Sequence, residues 1–304
     1  MAESLTSSRG QGGGVPEIPD PLAEAALLAR QMAPTLCRPV SRYEGVCDWY
    51  HGFWLCLRLM GVGKTYGGQA GFYLPALQEI ARAGDSPRVL VTGSADYAIP
   101  SLVMAAYARE AADLKLTVMD LCETPLYLTR WYAERIGADV ATDRADILDY
   151  TSEERFDVAL TNSFFGSFAP EKRPALFAAW ARLLRPGGKL LFTNRLRPGI
   201  TGVVRFSPAE VEAFCNTVAA EAGGLPEPLN QDLDGIVAAA RHYAETYLSH
   251  PIGGQDEIAR FLEDAGFRVD SLAIATREGR EGGGLSGPTT NQRGEHARVI
   301  ATRL

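Results

Sequence analysis

Gly93 and Asp120 have the residue types and surroundings of a nucleoside-binding site. Gly93 directly follows the apolar run 88–92 and precedes a helical stretch. At such a turn, backbone N–H groups and the helix dipole face a bound ligand. Asp120 closes a second apolar run, 116–120, where a carboxylate accepts hydrogen bonds from both hydroxyls of a ribose. The alternative role for Asp120 is that of an exposed aspartate capping the next helix; we favour the ribose.

The loop after Gly93 departs from the dinucleotide-binding pattern. A dinucleotide fold requires glycines spaced as G-x-G-x-x-G, because a pyrophosphate needs close approach of the backbone. Here the loop reads Gly93, Ser94, Ala95, Asp96 and Tyr97, so only the first glycine is kept. A nicotinamide oxidoreductase is therefore the last of the functions that we consider.

Further apolar segments indicate the elements that position these residues. Residues 156–162 predict a third buried strand, and Pro186-Gly187-Gly188 ends a helix and turns the chain into a fourth strand. An amphipathic helix over 256–266 and strands over 267–276 and 297–303 follow. In order and spacing, these elements resemble a class I S-adenosylmethionine (SAM) dependent methyltransferase.

The resemblance covers roughly the middle and C-terminal two thirds of the chain and implies both a fold and a cofactor. The fold is α/β, with a Rossmann-like seven-stranded sheet, mostly parallel with an antiparallel last strand, and an added helical cap. The cofactor is SAM. The residues that match the family's cofactor site are Gly93, Ser94, Ala95, Asp96, Asp120, Leu121, Asp146, Ile147, Thr161 and Asn162.

The adenine-binding position has competing candidates. Asp146 and Ile147 match the pair that reads adenine in the family through a carboxylate and a backbone amide. Asp139, Asp143 and Asp149 compete for the role of that carboxylate.

The loop lacks one acid that the family usually carries. Two residues before the first glycine, this sequence has Val91 instead. We expect Asp96, inside the loop, to take over the contact with the methionine ammonium of SAM.

Three residues are candidates for catalysis. Asn162 follows the third buried strand, where it would orient a nucleophile. His51 and His242 lie in the two helical segments that would close over the sheet edge. They are candidate general bases, since an alcohol or ammonium acceptor must lose a proton. A packing or hydrogen-bonding role is the alternative for each histidine.

Composition divides the chain into a tail, a cap and an α/β domain. Residues 1–20 are rich in Ser, Gly and Pro and are predicted to be disordered. Residues 21–85 have helical spacing and many aromatic side chains, which predicts an N-terminal helical cap. Residues 86–304 form the SAM-binding domain, with a helical insertion at about 195–250. In that insertion, Ser207-Pro-Ala-Glu210 predicts a capped helix start.

Charge and cysteine spacing exclude several classes of partner. The net charge is −7 and there is no dense Lys/Arg stripe, which argues against nucleic acid. No stretch reaches the ~18 apolar residues of a membrane span. The 5 cysteines include no CxxC pair, so we expect no metal site; a meeting of Cys37, Cys47 and Cys56 in space is the alternative. Their scatter and the absence of a secretory signal favour the cytoplasm.

The leading hypothesis is a SAM-dependent methyltransferase that transfers a methyl group in line to O or N of a small metabolite, in specialised metabolism. A second hypothesis is a SAM-consuming cyclase or aminocarboxypropyl transferase that releases methylthioadenosine, motivated by the unusual loop at Asp96 and Tyr97. A third is a non-catalytic regulator or scaffold with a SAM fold, suggested by Val91.

Overall fold

The computed structural model describes residues 18–39, 46–62, 66–84, 88–275, 287–288 and 295–304. Most of the tail predicted to be disordered, residues 1–17, lies outside the described residues.

Seven strands alternate with helices along the chain. The strands are β1 (Arg88–Thr92), β2 (Lys115–Asp120), β3 (Ala141–Arg144), β4 (Phe156–Asn162), β5 (Leu184–Arg195), β6 (Phe267–Ala275) and β7 (His296–Arg303). They form one sheet in the order β3-β2-β1-β4-β5-β7-β6. β7 runs antiparallel to β5 and β6, and the other paired strands are parallel. The predicted Rossmann-like sheet is confirmed.

Ten α-helices lie within the described residues. They are α1 (Leu22–Leu36), α2 (Asp48–His51), α3 (Trp54–Leu59), α4 (Tyr66–Arg82), α5 (Ala98–Arg109), α6 (Glu123–Ile136), α7 (Arg173–Leu183), α8 (Pro208–Ala222), α9 (Leu233–Thr246) and α10 (Gln255–Asp264).

Both faces of the sheet are buried, as the apolar strands predict. Side chains alternate along a strand, so Val89 and Val91 of β1 face one layer and Leu90 faces the other. Val89 and Val91 pack in one core with Leu102 of α5. Leu90 packs in a second core with Trp180 of α7. Parallel strands covered on both sides read as continuous apolar runs, which is why the sequence predicts β1 and β4 well.

The cap combines the N-terminal helices with helices from the insertion. Tyr243 of α9 stacks on Tyr50 of α2 with ring centroids 6.2 Å apart, and its ring contacts Trp49 edge-on at 5.6 Å. The same tyrosine contacts Phe53 at 5.9 Å and Phe214 of α8 at 5.7 Å. Segments separated by most of the chain therefore share one aromatic cluster.

The start of α8 follows the prediction from sequence. The Ser207 hydroxyl accepts a hydrogen bond from the Glu210 N–H at 3.3 Å, and the Ser207 N–H donates to the Glu210 carboxylate at 2.8 Å. The predicted capping box is confirmed. Among the described residues, none of the helices combines the length and the apolar composition needed to cross a membrane.

Candidate active site

A cavity of about 670 Å³ lies between the cap and the ends of the strands. On the sheet side its lining includes Gly93, Ser94, Ala95, Asp120, Leu121, Asp146, Ile147, Phe164 and Arg195. On the cap side its lining includes Trp49, Tyr50, His51, Trp54, Tyr243 and Tyr247. The sheet-side residues follow the carboxyl ends of parallel strands, which is where open α/β sheets bind ligands.

Asp120 holds two backbone segments together and still faces the cavity. One of its carboxylate oxygens accepts a hydrogen bond from the Ser94 N–H at 3.0 Å, and the other accepts one from the Cys122 N–H at 2.7 Å. Each carboxylate oxygen has about two acceptor sites, so capacity remains for two hydroxyls of a ligand. Burial raises the pKa of Asp120 to about 6, and the hydrogen bonds from the Cys122 and Ser94 N–H groups oppose the rise. The carboxylate is therefore mostly ionised at pH 7.

Position 93 requires glycine because of its backbone conformation and because the Phe164 ring lies close to it. Its φ is +66°, a left-handed conformation that other residues rarely adopt. A Cβ built at this position would lie 2.2 Å from the ring of Phe164. The aromatic ring thus packs directly on the loop and forms part of the cavity wall.

Gly93→Ala is expected to cost more stability than the same change at Gly137. Both glycines have nearly the same φ, +66° and +67°, so the backbone strain is matched. No atom of the described residues lies within 4 Å of a Cβ at Gly137, whereas at Gly93 the Phe164 ring must move. Overpacking of this kind adds about 1–2 kcal/mol. Urea unfolding of both variants measures this difference, and equal losses would contradict the close packing of Phe164.

The structure favours Asp146 among the four aspartates that compete for adenine. Asp146 and Ile147 line the cavity, and the Asp146 carboxylate accepts a hydrogen bond from the Leu148 N–H at 2.9 Å. Asp143 accepts a hydrogen bond from Tyr150 at 2.6 Å, and Asp139 and Asp149 are exposed. None of these three is among the lining residues.

Asp96 is used to attach the cap and is not among the residues that line the cavity. Its carboxylate accepts hydrogen bonds from Arg58 at 2.8 Å and from the Trp54 indole at 3.0 Å. It also accepts one from the Ala98 N–H at 2.6 Å, at the start of α5. The side chains of Arg58 and Asp96 are each only 4% exposed. The structure therefore assigns Asp96 to a buried ion pair instead of the expected contact with the methionine ammonium.

A family model described as a methyltransferase domain matches residues 100–188. The match runs from α5 to the Gly187-Gly188 turn, and it includes Asp120, Asp146 and Ile147. Residues 100–188 therefore form a SAM-dependent methyltransferase domain. The match begins just after the loop at Gly93–Asp96, where the sequence departs from the family pattern.

Several solved structures are similar to this methyltransferase at low sequence identity. A SAM-dependent methyltransferase from Methanosarcina mazei has 15% identity and a TM-score of 0.46, covering 72% of this chain and 93% of that one. The N-methyltransferase NodS from Bradyrhizobium japonicum, with S-adenosyl-L-homocysteine, has 13% identity and a TM-score of 0.45, covering 79% and 88%. Magnesium protoporphyrin IX methyltransferase from Synechocystis has 14% identity and a TM-score of 0.47, covering 82% and 92%. Comparison with curated protein sequences gives no match.

Thr161 and Asn162 lie at the end of β4 but are not among the lining residues. The Thr161 hydroxyl donates to the Thr92 carbonyl at 2.5 Å, which ties β4 to β1. The Asn162 side-chain oxygen accepts a hydrogen bond from the Thr193 hydroxyl at 2.6 Å, which ties β4 to β5. In this arrangement both side chains connect neighbouring strands at the edge of the site.

The two candidate histidines occupy different environments. His51 is buried and lines the cavity, with Nδ1 3.6 Å from the Cys37 sulfur. Burial lowers the pKa of His51, whereas its hydrogen bonds with Cys122 and Cys37 raise it. His242 is exposed and is not among the lining residues; its Nδ1 lies 3.5 Å from the Thr246 hydroxyl. His51 faces the cavity but contacts Cys37, and His242 does not face the cavity, so neither has the position expected of a general base.

The sequence pattern did not select four basic residues that line the cavity. These are Arg195, Arg197, Arg205 and His250. Burial and the nearby charge of Arg173 lower the pKa of His250, so its imidazole is neutral at pH 7. Arg195 and Arg197 stand at and just after the end of β5, and this position at a strand's carboxyl end is the signal that could have identified them.

Proposed function

We propose that this methyltransferase transfers the methyl group of SAM to a small, planar acceptor that carries an anionic group. The observation that supports it is the composition of this cavity, which joins two chemically different ends. Asp120, Asp146 and Ile147 lie at the end near β2 and β3. Arg195 lies at the end of β5, three strand spacings from β2, which is about 14 Å.

The end near β2 and β3 suits the nucleoside of SAM. The free acceptor sites of Asp120 bind the two ribose hydroxyls, and Asp146 with Ile147 binds adenine. The Phe164 ring, packed on Gly93, covers the same end. Methyl transfer requires the acceptor in line with the S–CH₃ bond and the exclusion of water. The cap supports both requirements because it covers the strand ends.

The other end suits a planar anionic acceptor. Trp49, Tyr50 and Tyr243 supply ring surfaces around the cavity, and Tyr50 stacks on Trp54 with centroids 5.6 Å apart. Arg205 adds positive charge to the lining of the same cavity. Guanidinium groups bind carboxylate and phosphate groups well. A net charge of −7 for the chain argues against a polyanion such as nucleic acid.

The aminocarboxypropyl alternative loses its motivation in this structure. It rested on the unusual loop at Asp96 and Tyr97, which would have contacted the methionine tail of SAM. Asp96 instead binds Arg58, and the Tyr97 hydroxyl donates a hydrogen bond to Asp20. Both side chains attach the cap, and this role accounts for the unusual residues in the loop. We therefore favour methyl transfer.

The product formed from SAM distinguishes the two reactions. We expect the purified protein, incubated with SAM and a panel of aromatic carboxylic acids, to release S-adenosylhomocysteine with one methylated acceptor, detected by mass spectrometry. Release of methylthioadenosine would support the alternative reaction. Methylation of neutral amides but not of the matching acids would contradict the anionic acceptor.

Arg205→Gln is expected to raise KM for the anionic acceptor roughly three- to tenfold, without a change in SAM affinity. The side chain is exposed at the cavity mouth, so solvent screens its charge and the loss is about 1 kcal/mol. Arg260→Gln, an equal change at an exposed position on α10 outside the lining, is the control. Steady-state kinetics measures both variants, and equal KM values for them would remove Arg205 from acceptor binding.

A further inference from the structure

Three cysteines and one histidine meet beneath the cap. One potential ligand atom from each of Cys37, Cys47, His51 and Cys122 lies within 4.8 Å of the others, and all four residues are buried. The sulfurs of Cys37 and Cys122 are 3.4 Å apart, and the Cys37 sulfur is 3.6 Å from His51 Nδ1. No such cluster was expected from the sequence, because the four positions contain no CxxC pair.

Two of the six distances among these atoms are close to the edge lengths of a tetrahedral zinc site. With Zn–S bonds of about 2.3 Å and a Zn–N bond of about 2.0 Å, tetrahedral ligands lie about 3.5–3.8 Å apart. The two distances between Cys37 and its neighbours are close to this range. Three thiolates and one imidazole are also a usual ligand set of structural zinc.

The surroundings suit thiolate ligands. The Thr124 hydroxyl lies 3.2 Å from the Cys37 sulfur, where it donates a hydrogen bond once that sulfur is a thiolate. Partners of this kind orient metal ligands and tune them. Cys122 is the N-cap residue of α6, a helix of 14 residues, so its thiolate also lies at the positive end of the helix dipole.

We propose that Cys37, Cys47, His51 and Cys122 bind one structural zinc ion. Four protein ligands leave no open position, so the ion is structural. It connects the end of α1 and the whole of α2 to the start of α6. Through Cys122 it also fixes the turn that follows Asp120, and through His51 it fixes the helix that carries Trp49 and Tyr50 into the cavity.

A disulfide accounts for the cluster less well. A Cys37–Cys122 bond would use two of the four groups and leave Cys47 and His51 without a role. It would also require the sulfurs to approach from 3.4 Å to about 2.05 Å. A metal ion explains why all four ligand atoms converge, whereas a disulfide joins only two of the four residues.

Metal analysis of the purified protein, without an affinity tag, tests the proposal. We expect about one equivalent of zinc per chain in the wild type and in Cys56→Ser and Cys215→Ser, which change the two buried cysteines outside the cluster. Cys47→Ser and Cys122→Ser are expected to lose most of the zinc. Retention of full zinc by folded Cys47→Ser and Cys122→Ser proteins would overturn the assignment of these ligands.

Cobalt substitution tests the same proposal with wild-type protein, so the result does not depend on whether the ligand variants fold. We expect wild-type protein, stripped of zinc with a chelator and reloaded with Co²⁺, to show thiolate-to-cobalt charge transfer and the intense visible bands of a tetrahedral site. Zinc-stripped protein is expected to melt at a lower temperature and to recover on addition of Zn²⁺. A wild-type protein that contains no zinc and gives no such spectrum would overturn the proposal, as would loss of two free thiols to a disulfide. The metal content is measured without substrate, so this outcome is independent of the proposed function.

Discussion

Asp96→Ala is expected to destabilise the protein by about 3–5 kcal/mol and to release the cap from the α/β domain. The change leaves the buried guanidinium of Arg58 without its nearest carboxylate, and breaking a buried ion pair from one side carries a cost of this size. The Trp54 indole N–H and the Ala98 N–H lose their acceptor as well. Asp20, 3.3 Å from Arg58 and 29% exposed, remains as a weaker partner.

Glu24→Ala is the matched control for Asp96→Ala. Glu24 of α1 forms an exposed pair with Arg135 of α6, so it also joins the cap to the α/β domain through a carboxylate and an arginine. Exposed pairs contribute about 0–1 kcal/mol. Urea unfolding followed by tryptophan fluorescence compares the two variants. Similar losses for both would show that burial of the Arg58–Asp96 pair is not what attaches the cap.

Asp120→Ala is expected to weaken SAM binding by about 2–3 kcal/mol, a roughly 30- to 150-fold increase in Kd. In the proposed binding mode, the change removes the acceptor of two ribose hydroxyls. It also removes the acceptor of the Ser94 N–H, so the loop that follows Gly93 loses a support. Titration calorimetry with SAM measures the affinity, and a thermal melt of the same samples confirms that the variant is folded.

Asp113→Ala is the control for Asp120→Ala. Asp113 is exposed and precedes β2, at the opposite end of the strand that carries Asp120. We expect its SAM affinity to equal that of the wild type. An Asp120→Ala protein that is folded and keeps wild-type affinity would remove Asp120 from the cofactor site.

The strands, and the edge at which we propose that SAM binds, were accessible from the sequence because their signals are local. The prediction for 156–162 coincides with β4, and the prediction for 116–120 differs from β2 by one residue. Buried parallel strands are short apolar runs, and they end where polar residues such as Asp120 begin. The capping box at Ser207 was equally accessible, since both partners lie within three residues of each other.

The side-chain pairings of the cap and the site were decided by tertiary structure. Asp96 stands in the loop next to Ser94, yet its partner Arg58 is 38 positions away, and no periodicity records such a pairing. His51 lies in the cap, yet its neighbours in the cluster include Cys122, which lies at the start of α6 in the α/β domain.

The sequence by itself therefore determined the order of the strands and the position of Asp120 at the carboxyl end of β2, on which the proposed SAM site depends. These follow from hydrogen bonds and apolar periodicity within a few residues. Tertiary structure alone decided that Asp96 attaches the cap and that Cys37 and Cys122, which are 85 positions apart, are in contact. Such contacts form when the packed layers bring distant segments together. Apolar periodicity along the chain indicates which residues are buried, but it does not indicate which distant residues they contact.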